Sequence, residues 1–210
     1  MATTSYHFSY EADAKLFILN NRQLFLSKHE DAVALFEKGI SRDKTIADCL
    51  IFSRETGLVG IEIKTAHDTK KRLLHQLHDY TKVCDYVYVL LHDAVYAEAK
   101  PILDQYPQVG IYCYTEADGN LYAGKLREAS YNKHDYRDTL DIMWWTELMN
   151  LAKLNAEINH QQVPFKRLHT KRSIENYLLN NYGSAPIKQF YDNVIRGRHD
   201  KDKVVKHYEI

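Results

Sequence analysis

The chain of 210 residues has little of what marks disulfide-bonded or membrane-spanning proteins. Its three cysteines, Cys49, Cys84 and Cys113, are odd in number, widely spaced and without a CxxC pair, which excludes a disulfide framework and argues against a zinc or iron–sulfur site. No stretch approaches the roughly 18 apolar residues of a membrane span. The N-terminus also lacks a basic segment followed by an apolar run. We therefore expect a soluble cytoplasmic protein with reduced thiols and no membrane partner.

The chain also lacks a net charge, because 28 basic side chains balance 28 acidic ones. This balance neither favours nor excludes nucleic acid, since phosphate contacts need only a local basic face. The basic residues are concentrated in the C-terminal part: Lys166, Arg167, Lys171, Arg172, Lys188, Arg196, Arg198, Lys201, Lys203 and Lys206. This basic segment is either a solvated face or a DNA contact, and the sequence leaves both open.

Hydrophobic periodicity predicts an alternation of helices and strands in the first two thirds of the chain. Residues 10–26 predict a helix, and the short apolar run 31–36 fits a helix or the start of a strand. Residues 45–53 and 58–65 predict a β-hairpin, because Arg54 to Gly57 supply turn chemistry between two β-prone runs. The elements predicted next are a helix over 68–84 with Asp68 as N-cap, a strand over 86–91, a helix over 94–106, a strand over 109–114, a turn over 116–120 and a short strand over 121–123.

This order predicts an α/β fold with a mixed central sheet flanked by helices over residues 1–130. Residues 131–210 predict a helical, basic C-terminal extension. It consists of one long helix from about Asp135 to Ile158, a second helix ending at Gly183, and a third beginning near Pro186. On the long helix, Trp144 and Trp145 are expected to lie in the core or to pack against the α/β domain, with stacking on nucleic-acid bases as the alternative.

Three charged residues of the hairpin carry the chemistry. Glu62 and Lys64 lie two residues apart in a strand and therefore project from the same face, while Ile61 and Ile63 face the core. Asp48 lies on the neighbouring strand, within an apolar run where a carboxylate is costly to bury unless it is paired or bound to metal. Hairpin pairing brings it near the same face.

Two carboxylates at short range can hold a divalent cation such as Mg²⁺, which prefers oxygen ligands. Such an ion lowers the pKa of a bound water and neutralises charge on a phosphate. A neighbouring ammonium can position the attacking water or stabilise the transition state. This set of groups suffices for hydrolysis of a phosphodiester bond.

Asp48 followed by Glu62-Ile63-Lys64 across a hairpin turn resembles the PD-(D/E)XK nuclease superfamily. The span from Gly60 to Leu90 is similar to a small, little-characterised bacterial and phage branch of it. The resemblance covers roughly residues 37–115, and Ala47 stands where the family name has proline. It implies a restriction-endonuclease-like core and a Mg²⁺- or Mn²⁺-dependent deoxyribonuclease in the cytoplasm of a bacterial or phage-infected cell.

The resemblance also implies roles for individual residues. Asp48, Glu62 and the backbone carbonyl of Ile63 would bind the metal, and Lys64 would serve the attacking water. Gln76 and Tyr80 match the QxxxY motif of the exonuclease-like branches, where this pair contacts DNA or braces the active site. A further acid of the metal site is assigned to Glu37, with Glu11 and Glu30 as alternatives.

Two rival functions stay open. The chain could keep the nuclease fold and bind or regulate DNA without cutting it, or it could be an interaction protein whose helical tail holds a protein partner or a second copy. The sequence leaves undecided the form of the DNA, endonuclease against exonuclease action, RNA as a substrate, and the biological pathway.

Overall fold

The computed structural model describes residues 11–42, 44–117 and 120–198. Six strands form one sheet: β1 (Ala32–Ile40), β2 (Thr45–Ser53), β3 (Leu58–Lys64), β4 (Tyr86–His92), β5 (Gly110–Ala117) and β6 (Asn120–Arg127). The α-helices of the described ranges are α1 (Glu11–Asn20), α2 (Leu73–Val83), α3 (Asp93–Leu103), α4 (Tyr136–Leu140), α5 (Trp145–Ile158), α6 (Lys171–Tyr182) and α7 (Ala185–Arg198). Short 3-10 turns precede β1, α2 and α6. The predicted α/β class with a mixed sheet is confirmed.

The strands lie side by side in the order of the chain. The first three are antiparallel, β3, β4 and β5 are parallel, and β6 returns antiparallel to β5. Each parallel step needs a crossover, and α2 and α3 supply the two. The predicted hairpin is confirmed as β2 and β3, and the ambiguous run 31–36 belongs to strand β1.

Both faces of the sheet are covered. On one face, α1 packs Phe17 and Ile18 with Ile61 and Ile63 of β3. The opposite face packs against α2, α3 and the helices that follow residue 135. Because helices lie on both sides, every residue of β3 is buried, including the two charged ones. A solvent-facing position for Glu62 and Lys64 is therefore excluded.

The helix after the hairpin begins later than predicted. The carboxylate of Asp68 accepts hydrogen bonds from the amide and hydroxyl of Thr65, both at 2.8 Å, and so closes the turn after β3 instead of capping a helix. A 3-10 turn over Lys70–Arg72 follows, and α2 begins at Leu73. Leu74, in the first turn of α2, is exposed.

The predicted long helix is interrupted, which corrects the expectation for residues 135–158. The carbonyl of Asp141 accepts a hydrogen bond from Lys171 Nζ at 2.5 Å, where a continuous helix would use the amide of Trp145. Ile142 and Met143 are buried in the break, and α5 begins at Trp145. Trp144 is 70% exposed and Trp145 45% exposed, so the expectation that they pack in the core is wrong.

The remaining elements differ from prediction mainly in length. The first helix ends at Asn20, and β6 runs to Arg127 where a strand of three residues was expected. The second helix of the C-terminal part ends at Gly183, whose φ of 59° lies in the region that favours glycine. Lys201, Lys203 and Lys206 of the basic segment lie outside the described residues. No helix of the described ranges is long and apolar enough to cross a membrane.

Candidate active site

A tyrosine hydroxyl bridges β2 and β3 beside the predicted site residues. Tyr80 Oη accepts a hydrogen bond from the amide of Asp48 at 2.8 Å and donates one to the carbonyl of Ile61 at 3.2 Å. The hydroxyl thus links a backbone donor of one strand to a backbone acceptor of the other. Burial and the charge of Glu62 raise the pKa of Tyr80, so the hydroxyl keeps its proton and remains a donor.

Gly60 makes room for this tyrosine. A methyl group at Gly60 would lie 2.4 Å from Cδ1 of the Tyr80 ring and 2.8 Å from Cys84 Sγ. Both distances are far below van der Waals contact. Glycine at this position therefore allows α2 to press Tyr80 onto β3, two residues before Glu62.

Asp48 lies at the partly exposed side of the site. Its Oδ2 accepts a hydrogen bond from the amide of Ile63 at 2.8 Å, which holds the carboxylate over β3. Burial raises the pKa of Asp48, while this hydrogen bond and the charge of Lys64 act in the opposite direction. The contact shown for Ile63 is through its amide; the assignment of its carbonyl to a metal stays a prediction.

Glu62 is fully buried, and one of its two carboxylate oxygens has a hydrogen-bond partner among the described residues. Its Oε1 accepts a hydrogen bond from Lys64 Nζ at 2.6 Å, whereas Oε2 has no hydrogen-bond partner among the described residues. Burial, and next the charge of Asp48, raise the pKa of Glu62 to about 8. A buried polar oxygen without a partner is rare in folded proteins, because it loses its water contacts without replacement.

These groups fit a divalent cation. A cation between Asp48 and Glu62 would partner the free oxygen of Glu62 and remove the repulsion between the two carboxylates. Lys64, on the same face, already neutralises part of their charge. Within the described ranges no group of three or more His, Cys, Asp or Glu side chains surrounds a common point, so water and backbone oxygens would complete the coordination.

Gln76 lies on the same helix as Tyr80. It is buried, and its Oε1 has no hydrogen-bond partner among the described residues. Because α2 runs antiparallel to β3 in this crossover, Gln76 lies one turn, about 5.4 Å, further toward the end of β3 that carries Lys64. A second residue with an unsatisfied buried oxygen thus lies toward the same end of the sheet.

Of the three acids considered for an additional role, Glu11 and Glu37 pair with the same lysine, Lys15, and Glu30 lies elsewhere. Glu37 is exposed and pairs with Lys15 at 2.7 Å. Glu30 accepts hydrogen bonds from the β2–β3 turn, at Glu55 and Thr56, and so belongs to the opposite end of β3. Glu11 lies near enough for its charge to raise the pKa of Asp48. Glu11 therefore acts on the metal-site pair through its charge.

Sequence reasoning missed a basic run beside the site. Lys70, Lys71 and Arg72 are consecutive, exposed, and follow Lys64 after one turn. Lys70 lies 3.8 Å from Glu98, while Lys71 and Arg72 make no ion pair with the described residues. The signal in the sequence is three consecutive basic residues shortly after the charged strand. It is easily overlooked because the C-terminal segment contains more basic residues.

Comparison with known proteins gives one family and one remote structure. The family described as bacteriophage P4 protein cII matches residues 5–207. A protein of unknown function from Silicibacter pomeroyi is similar in structure over 64% of this chain and 86% of that protein, with 17% sequence identity and a TM-score of 0.39. A search of curated proteins gives no match.

Proposed function

We propose that this chain, which belongs to the bacteriophage P4 protein cII family, is a metal-dependent nuclease of the PD-(D/E)XK type that hydrolyses phosphodiester bonds in DNA. One observation carries the proposal: Glu62 is fully buried with a free carboxylate oxygen, next to Asp48 and Lys64. A buried carboxylate with an unpartnered oxygen lowers the stability of the fold unless a bound cation supplies the missing partner. A mixed α/β sheet flanked by helices agrees with the expected restriction-endonuclease-like core.

Each residue has a defined part in the proposed reaction. Asp48 and Glu62 would hold Mg²⁺ or Mn²⁺ together with the Ile63 carbonyl. The ion, when bound, lowers the pKa of a coordinated water and neutralises charge on the phosphate. Lys64, held by Glu62, positions the attacking water. Tyr80 and Gln76 brace this arrangement, and Lys71 and Arg72 contact phosphates on either side of the bond that is cut.

The rival that binds DNA without cutting has one observation in its favour. Two carboxylates, and no group of three possible ligands, are found among the described residues. An inactive member of a nuclease fold would retain cation binding at Asp48 and Glu62 and lose the cleavage step. The two functions therefore differ in cleavage and agree in metal binding.

The test is cleavage of labelled linear, circular and single-stranded DNA with Mg²⁺ or Mn²⁺, with a chelator as control. We expect the wild type to cut, and Lys64→Ala to bind metal but cut at least about 100-fold more slowly. Preference for linear over circular DNA would identify an exonuclease. If folded wild type binds the cation yet cuts none of the substrates, the non-cutting rival replaces the nuclease.

A further inference from the structure

We infer that the surface around the start of α6, together with Trp144 and Trp145, binds single-stranded DNA and leads it to the proposed active site. The inference deepens the proposed function and depends on it for the destination of the strand. Two independent observations support it: a cleft with cations from two elements, and a pair of exposed tryptophans beside that cleft.

The cleft has a volume of about 470 Å³. Its lining comes from the β1–β2 turn, from the end of α4 and from the start of α6: Arg42, Asp141, Thr170, Lys171, Arg172 and Glu175. Lys171 Nζ, which donates to the Asp141 carbonyl, lies 3.3 Å from the Asp141 carboxylate, and Arg172 Nη1 lies 3.6 Å from Glu175 Oε2. Arg42 has no ion pair with any residue of the described ranges. Among the described residues the cleft thus offers one cation without an ion pair and two cations that a phosphate would share with acidic partners at 3.3 and 3.6 Å.

The tryptophans follow Asp141, a lining residue of this cleft, closely along the chain. Trp144 follows Asp141 by three residues, so their Cα atoms lie within about 11 Å of each other. Trp144 is the N-cap residue of α5, and its amide donates to Glu147 at 2.6 Å. That role uses no part of the indole ring, and Ile142 and Met143 already anchor the segment in the core. Folding therefore gives no reason for two large aromatic rings in solvent here.

Exposed aromatic rings beside cations match one class of partner. Proteins that bind single strands stack bases on aromatic side chains and hold the backbone with a basic groove. In a duplex the faces of the bases are covered by their neighbours, so indole rings cannot stack on them without unwinding. The juxtaposition of Arg42, Lys171 and Arg172 with Trp144 and Trp145 consequently favours single-stranded over double-stranded DNA.

The cleft and the active site lie at the same end of the sheet. Arg42 precedes β2, and Asp48 lies in the first half of that strand. Their Cα atoms are therefore within about 22 Å of each other, because an extended chain spans at most ~3.6 Å per residue. A strand of a few nucleotides covers this distance. The geometry points to a path from the tryptophans over the cleft to Asp48 and Glu62.

Intrinsic fluorescence tests the inference directly, because Trp144 and Trp145 are the two tryptophans of the whole chain. We expect a thymidine oligonucleotide to quench the emission of the full-length wild type at low salt, in the presence of a chelator so that no cleavage occurs. The matched duplex should bind at least about tenfold more weakly. Absence of quenching, or equal binding of the duplex, overturns the inference.

Variants locate the binding surface by the anisotropy of a labelled oligonucleotide. Trp144→Ala should weaken binding on the order of tenfold. Arg42→Ala should reduce the slope of log affinity against log salt by about one. Tyr122→Ala and Lys28→Ala are the controls, because they remove an exposed aromatic ring and an exposed cation elsewhere. Equal losses in variants and controls, or dimers in sedimentation that Trp144→Ala dissociates, overturn it in favour of a nonspecific or self-associating surface.

The outcomes separate this inference from the nuclease proposal. Oligonucleotide binding by the wild type without cleavage in Mg²⁺ or Mn²⁺ would reject the nuclease and keep the single-strand surface. Metal-dependent cleavage that Trp144→Ala and Arg42→Ala leave unchanged on single strands would keep the nuclease and reject the surface.

Discussion

Two buried carboxylates at opposite ends of β3 differ in what surrounds them. Asp85, 5% exposed, lies beside the first residue of the strand, where its Oδ2 accepts hydrogen bonds from the amide of Leu58 at 2.8 Å and the hydroxyl of Tyr191 at 3.0 Å. Glu62, near the last residue, is 0% exposed and has Lys64 as its hydrogen-bond donor, with Oε2 left free. Burial is nearly equal, so the number of partners distinguishes an acid that supports the fold from one that is available to a ligand.

The largest expected difference between the two acids is in cleavage. Glu62→Ala should lower metal-dependent cleavage by more than about 100-fold, since even outer partners of metal sites contribute about 10- to 100-fold. Asp85→Ala should leave cleavage per folded molecule unchanged. It should instead lower the free energy of unfolding by about 1–3 kcal/mol for each unpartnered group, the Leu58 amide and the Tyr191 hydroxyl. Rates normalised to the folded fraction, from circular dichroism, measure both effects.

A cleavage loss in Asp85→Ala as large as that in Glu62→Ala would remove the distinction, because both acids would then act through the fold.

The pH dependence of stability sharpens the comparison. The pKa of Glu62 is about 8 in the folded protein, against an ordinary value of 4.5 in the unfolded chain. Between these values the unfolded state loses its proton first, so the wild type loses stability as the pH rises from about 4.5 to 8. Glu62→Gln removes this loss. In chelator it should gain on the order of a few kcal/mol over the wild type between pH 5 and pH 9, measured by urea unfolding.

Mg²⁺ should reduce this difference at high pH by stabilising the wild type, with about 2.7 kcal/mol at a concentration 100 times the dissociation constant. Glu157→Gln, at an exposed position of α5, is the matched control and should follow the wild type. A constant difference between Glu62→Gln and wild type across the pH range would show that Glu62 is not the titrating group.

The smallest expected effect concerns the bridge that holds the two strands at the Glu62 end. Tyr80→Phe leaves the Asp48 amide and the Ile61 carbonyl without their partner, and should lower kcat about tenfold with little change in KM. Tyr112→Phe is the control, since it removes a hydroxyl that donates to the carbonyl of Leu24 at 2.9 Å, away from the site. If both variants change kcat alike, Tyr80 has no special role in positioning Asp48.

The hairpin could be predicted because its signals are local. Alternation with a period of two put Glu62 and Lys64 on one face, and the turn residues set the pairing that brought Asp48 near them. The long helix could not be predicted correctly, because it is interrupted by a contact between Asp141 and Lys171, thirty residues apart in sequence. Asp68 carried a good capping signal, yet its neighbour Thr65 used the same carboxylate to close a turn.

Exposure was the least predictable property. Tryptophan is a large apolar residue of the kind expected in a core. Trp144 and Trp145 are exposed because the helix is broken before them, and Ile142 and Met143 turn inward instead. Conversely, charged residues on a strand are typical of a surface position. Glu62 and Lys64 are nevertheless buried, because α2 and the C-terminal helices cover that face of the sheet.

The sequence by itself determined the period of each element, the hairpin, and the presence of two carboxylates and an ammonium on one face, since these depend on the spacing of neighbours along the chain. The tertiary structure alone decided which oxygen of Glu62 is left without a partner, that the charge of Glu11 acts on Asp48, and that two tryptophans are exposed. Burial and hydrogen-bond satisfaction depend on residues distant in sequence that meet only when the helices close over the sheet.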